Sequence, residues 1–127
     1  MSSGITGLCL DDSGDRTANN TAIDLWSCNG TASQAWLAEP DGTVRVHGKC
    51  LNVAGGARAA GTPVVLYSCN GTGAQLWHLA PSRAGVTLVN PESGLCLADP
   101  RDATADGTRA VIAACTASDP GTAWRPS

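Results

Sequence analysis

CLDDSGDRTANNTAIDLWSCNGTASQAW, residues 9–36, aligns without a gap on CLNVAGGARAAGTPVVLYSCNGTGAQLW, residues 50–77, and 13 of the 28 positions are identical. A third copy, Cys96 to Trp124, is one residue longer and more divergent. Each copy opens on Gly-x-Cys-Leu, at Gly7–Leu10, Gly48–Leu51 and Gly94–Leu97. Each carries a second Cys 19 positions after the first and closes on a Trp. A short apolar run leads into each second Cys: Ile23–Ser27, Val64–Ser68 and Val111–Ala114. Asn29-Gly30 and Asn70-Gly71 follow in the first two copies, a strong hairpin signal because both residue types tolerate positive φ. Strands of four to six residues separated by turn signals read as all-β, since Gly and Pro interrupt every window that could hold a helical stripe. Three copies of about 40 residues sharing one core suggest a closed threefold structure. The repeats are expected at about 1–39, 40–82 and 83–127 of a single domain. Leu10, Leu51, Leu97 and Trp36, Trp77, Trp124 are expected to meet in its core. The first copy is short at its start, with only Gly4-Ile5-Thr6 ahead of its Gly-x-Cys-Leu.

Six cysteines allow 15 pairings. If equivalent cysteines occupy equivalent places, the simplest pairing is Cys9–Cys28, Cys50–Cys69 and Cys96–Cys115. No CxxC occurs and the two histidines, His47 and His78, fall outside the repeat, so no metal and no cofactor are expected. Three disulfides imply an oxidising compartment, and a secreted location is expected although Met1-Ser2-Ser3-Gly4 carries no signal-peptide pattern and reads as an artificial start.

The composition excludes other classes. Charged residues are 15% of the 127, against ~25% in an average soluble protein. The net charge is -3 and Lys49 is the only lysine, so nucleic-acid binding is disfavoured. No apolar run reaches the ~20 residues of a membrane-spanning helix, and no membrane insertion is expected. Phe is absent, leaving four Trp and one Tyr as the aromatic resource.

Gln34-Ala35-Trp36, Gln75-Leu76-Trp77 and the departed Thr122-Ala123-Trp124, in register with Gly-x-Cys-Leu, resemble the threefold Gln-x-Trp repeat of ricin B-type lectins and carbohydrate-binding module family 13. The resemblance covers essentially the whole chain. It implies a β-trefoil of twelve strands, a six-stranded barrel with a hairpin cap, and one disulfide within each copy. It implies a non-catalytic module that recognises a mono-, oligo- or polysaccharide, with a pyranose of galactose or xylose type bound at a shallow site. Such domains often accompany a secreted glycosidase, and a monomer is expected.

A pyranose offers a C–H face to an aromatic ring and adjacent hydroxyls to a carboxylate and an amide. In the first copy the resemblance assigns these roles to Asp11, Trp26, Asn29, Ser33 and Gln34. Asp24, two before Trp26, lies on the same strand face by period-2 geometry. The competing readings are a core Trp26, a turn-capping Asp11, and a Gln34 that serves the backbone. The second copy offers Asn52, Tyr67, Asn70 and Gln75, a weaker set because Asn52 replaces the carboxylate. The third has Ala98 and Ala113 in the corresponding places and is expected to be structural only. The acidic run Asp11, Asp12, Asp15, Asp24 lacks the spacing of a calcium loop and reads as a solvated loop. A glycosidase, which needs two separated carboxylates, and a sugar-blind protein-interaction trefoil are the alternatives.

Overall fold

The computed structural model describes every residue except Arg83, Ala84, Ala117 and Ser127, so the expected repeat boundary at 82/83 lies partly outside the described residues. The chain is an all-β trefoil. The first copy holds β1 (Ser2–Ser3), β2 (Leu8–Asp12), β3 (Thr21–Ser27) and β4 (Leu37–Ala38). The second holds β5 (Val44–Val46), β6 (Lys49–Val53), β7 (Val64–Tyr67) and β8 (His78–Ser82). The third holds β9 (Gly85–Asn90), β10 (Leu95–Ala98), β11 (Thr108–Arg109), β12 (Val111–Ala113) and β13 (Trp124–Arg125). The twelve strands expected become thirteen among the described residues because Ala110 interrupts the third counterpart of β3 and β7. Helical structure among the described residues is confined to short 3₁₀ turns, and none is long and apolar enough to cross a membrane.

Pairing follows the threefold plan. Hairpins β2–β3, β6–β7 and β10–β12 form within the copies. Consecutive copies join last strand to first, β4 to β5, β8 to β9 and β13 to β1. The last of these joins the two ends of the chain, with Ser2 opposite Arg125 and Ser3 opposite Trp124. The opening residues therefore belong to the sheet: Ser2–Ser3 is the first strand of the first copy, upstream of Gly4-Ile5-Thr6. Met1 is buried, and its ammonium donates to the Gln34 carbonyl at 2.7 Å.

The core repeats the sequence symmetry. Leu10, Leu51 and Leu97 are fully buried, and Trp36, Trp77 and Trp124 lie among them. Each indole Nε1 donates at 3.0 Å to the carbonyl of the leucine of its own copy. The indole polar group is thus satisfied three times by one geometry, which is how a core without Phe holds large aromatics. The three disulfides join Cys9–Cys28, Cys50–Cys69 and Cys96–Cys115, one per copy. Each closes a loop with a sequence separation of 19, worth about 3 kcal/mol in the chain-entropy picture.

Candidate functional site

Trp26 breaks the pattern of the other tryptophans. It is 43% exposed, so the core reading of this residue fails. The cause lies in the neighbouring strands. At Asp24 and Leu25, β3 is flanked by β2 on one side and β11 on the other, with Arg109 opposite Asp24 and Thr108 opposite Leu25. Beyond Leu25 the ladder with β11 ends, and Gly107, which has no side chain, lies against the Trp26 ring. Asp106 next to it accepts from the Ser27 backbone N–H at 2.7 Å and from its hydroxyl at 2.8 Å, fixing that edge.

An open hollow of about 360 Å³ lies beside Trp26, lined also by Asp11, Asp12, Ser13, Gly14, Asp15, Asn29, Thr31 and Ser33. Of the residues the sequence assigns, Asp11, Trp26, Asn29 and Ser33 reach this hollow. The Asn29 Oδ1 accepts from the Thr31 N–H at 3.1 Å and hydroxyl at 2.7 Å, which leaves its amide NH₂ as the remaining donor. The Ser33 hydroxyl donates to Asp15 Oδ1 at 2.6 Å. That contact, with His47 beside it, holds the Asp15 carboxyl below its ordinary pKa. Gly14 and Asp15 both have positive φ, 70° and 56°, so the rim is a left-handed turn that Gly14 tolerates freely and Asp15 holds against strain.

Two assigned residues stand elsewhere. Gln34 is buried; its Oε1 accepts from the Asn29 N–H at 3.0 Å and its Nε2 donates to the Ser27 carbonyl at 3.1 Å. The amide pins the loop after Cys28, and Gln34 borders a different hollow, near the Cys9–Cys28 disulfide. Asp24 is buried between strands, opposite Asp11, and does not line the hollow. Burial pushes its carboxyl up to about 6 and the Asp11 charge adds to this, while Ser13 and Arg109 oppose it. Burial also raises Asp11, with hydrogen bonding to Gln34 pulling the other way. The acidic run is not a solvated loop: Asp11, Asp12 and Asp24 are buried, and Asp15 is exposed.

A second hollow of about 440 Å³ is lined by Asn20, Asn52, Gly55, Gly56, Tyr67, Asn70, Thr72, Ala74 and Glu92. Seven of these correspond to first-hollow residues at the spacing from Cys9 to Cys50: Asp11 to Asn52, Gly14 to Gly55, Asp15 to Gly56, Trp26 to Tyr67, Asn29 to Asn70, Thr31 to Thr72 and Ser33 to Ala74. Gln75 departs from its assignment as Gln34 does. It is fully buried, accepting from the Asn70 N–H at 2.9 Å and donating to the Ser68 carbonyl at 3.0 Å. Asn52 donates its amide to the adjacent Val53 carbonyl at 3.0 Å.

Sequence reasoning missed the carboxylate that this hollow does contain. Glu92, from the turn between β9 and β10, packs its carboxylate where a side chain on Gly73 would sit. Arg58 Nε lies 3.5 Å from its Oε1. His47, from the matching turn between β5 and β6, reaches Asp15 on the rim of the first hollow. Each turn leans on the preceding copy, a relation no linear motif records. In the third copy Ala98 is buried, and Asp102 packs against Gly121, the counterpart of Ser33.

The comparisons agree with this architecture. The family model described as the ricin-type beta-trefoil lectin domain matches residues 1–124, and the chain belongs to that family. Among solved structures, the designed threefold symmetric protein ThreeFoil superposes with a TM-score of 0.89 at 26% identity, covering 98% of this chain and 93% of that one. The agglutinin from Abrus precatorius gives a TM-score of 0.82 at 30% identity, over 97% of this chain and 45% of that one. A non-toxic homologue of type II RIPs from Momordica charantia (bitter gourd), solved in complex with alpha-methyl-D-galactoside, gives 0.75 at 30% identity, over 89% and 41%. The chain thus spans less than half the length of either plant protein. No curated protein sequence matches it significantly.

Proposed function

We propose that this lectin domain is a non-catalytic carbohydrate-binding module whose main site is the first hollow. The observation that carries the reading is Trp26, an exposed indole lining a hollow with a buried carboxylate, Asp11, and an amide, Asn29. A pyranose stacks its C–H face on Trp26. Two adjacent hydroxyls donate to Asp11, and one accepts from the Asn29 amide. Ser33 and Asp15 bound the far side. The second hollow binds more weakly, with Tyr67 as platform, Asn70 as donor and Glu92 in place of the carboxylate lost at Asn52.

The ligand is a galactose- or xylose-type pyranose or a polysaccharide that displays it. The galactoside in the bitter gourd structure supports the first of these. One shallow site of this kind binds at roughly millimolar strength, about -4 kcal/mol, so useful retention comes from two hollows engaging one polymer or from an attached enzyme. We place the domain in a secreted glycoside hydrolase, as a monomeric unit, in keeping with its three disulfides. Catalysis is not part of the reading. Asp24, the raised acid paired across the strands with Asp11, does not line the hollow, so the two carboxyls do not flank a bound sugar as glycoside cleavage requires.

Isothermal titration with methyl galactoside, xylose and soluble xylan tests the reading on the wild type and on the double variant Trp26→Ala with Tyr67→Ala. Binding in the wild type and none in the double variant is expected. Saturable binding that survives both substitutions would overturn the site, and no binding of any sugar by the wild type would favour the protein-interaction trefoil.

A further inference from the structure

At the end of β2, Asp12 is fully buried, and neither of its carboxylate oxygens has a hydrogen-bond partner among the described residues. An unpartnered buried carboxylate is costly and calls for a compensating donor or cation. The nearest cation-forming group is His47, with the Arg16 charge acting from farther off. His47 Nε2 lies 3.6 Å from Asp12 Oδ2 and 2.7 Å from Asp15 Oδ1. One Nε2–H satisfies one acceptor, so it cannot serve both carboxylates. The three donor atoms all lie within 4.8 Å of one another. The arrangement is particular to the first copy: the second has Val53 and Gly56 at the places of Asp12 and Asp15, and the third has Asp99 and Asp102 but no histidine.

We propose that Asp12, Asp15 and His47 form a binding site for a divalent ion of the zinc type, the ion taking the place of the one proton on Nε2. An imidazole nitrogen with two carboxylate oxygens suits Zn²⁺ and its borderline neighbours, whereas Ca²⁺ takes six to eight oxygens. Tetrahedral zinc ligands stand roughly 3.3 Å apart. The exposed Asp15 has room to move outward by the few tenths of an ångström required, and Asp12 to His47 is already near that spacing. Asp12 and Asp15 also line the first hollow, so the remaining coordination position opens toward it. No described cysteine is free to compete for the ion. Occupancy ties the end of β2 to the turn of the next copy.

Untagged protein titrated with Zn²⁺, with Ca²⁺ and Mg²⁺ in parallel, tests this by calorimetry and thermal unfolding. One Zn²⁺ per chain, a rise of a few degrees in Tm and a shift of the His47 ring resonances are expected, with no comparable response to Ca²⁺ or Mg²⁺. His47→Asn, which keeps a residue tolerant of the positive φ at this turn, should weaken zinc binding at least tenfold. His78→Ala should leave it unchanged. No saturable zinc binding by the wild type, or equal binding by His47→Asn, would overturn the site and leave the His47–Asp15 contact as a plain hydrogen bond.

Discussion

The first and second hollows are one construction written twice. Gly14 and Gly55 shape the turn, Asn29 and Asn70 make the same bonds to Thr31 and Thr72, and Gln34 and Gln75 pin the same loop. The copies differ where a ligand would touch: Asp11 against Asn52, Trp26 against Tyr67, Asp15 against Gly56, Ser33 against Ala74. Most shared residues spend their polar atoms on the loop itself; Asn29 and Asn70 do both, their Oδ1 bracing the turn while their NH₂ groups stay available to the hollow. The differing residues line the hollows without bracing the loop that the glutamines pin. The comparison teaches that scaffold and recognition are largely separable within a single repeat, with the asparagine as the position that joins them.

The largest effect should come from the core. Trp36→Ala removes an indole bonded to the Leu10 carbonyl and should cost about 3–5 kcal/mol in urea unfolding. Trp26→Ala should stay within about 0.5 kcal/mol of the wild type, because its ring is exposed. Equal costs would erase the distinction between the two tryptophans. Next are the glutamines. Gln34→Ala and Gln75→Ala each orphan a backbone N–H and a carbonyl and should each lose about 1–3 kcal/mol of stability. A loss of sugar affinity with no loss of stability would return them to the site.

Acidity separates the copies in another way. Burial pushes Asp12, Asp24 and Asp99 up to about 6, and these lie in the first and third copies. An acid whose native pKa lies above its unfolded value holds its proton in the folded state. It therefore stabilises the fold below the unfolded pKa, and that contribution is lost as pH rises through the folded one. Thermal unfolding should show Tm falling by a few degrees between about pH 4 and pH 6 and levelling above. The lowered pKa values of Asp15 and Asp41 act in the opposite sense, at more acidic pH. A Tm that climbs through this window would contradict the burial of those carboxyls. The smallest effect is a gain: Asn52→Asp should strengthen sugar binding at the second hollow by roughly threefold, since charge-assisted bonds exceed neutral ones. Calorimetry on a Trp26→Ala background isolates that site.

Much of this was legible in the residues. The repeat fixed which cysteines pair and which leucines and tryptophans meet, because equivalent sequence buries equivalent surface. Asp11, Trp26 and Asn29 were legible as neighbours because all three belong to one hairpin and its following turn. Asp24 was misread because strand alternation gives a face but not what covers it; β11 of the third copy covers Asp24 and stops short of Trp26. Gln34 stood open between sugar and backbone because an amide suits both equally; the folded loop gives it, and Gln75 with it, to the backbone. His47, Glu92 and Asp106 were invisible, since each reaches its place from a different copy and carries no spacing signal toward it.

The most direct measurement is a two-dimensional amide and indole NMR titration with galactose, xylose and a soluble xylan. The account predicts progressive shifts of the Trp26 indole and of the Asp11 and Asn29 amides at millimolar sugar, smaller shifts around Tyr67 and Asn70, and none at the Trp36, Trp77 and Trp124 indoles. Resonances that stay fixed at Trp26 up to tens of millimolar of every sugar would contradict it.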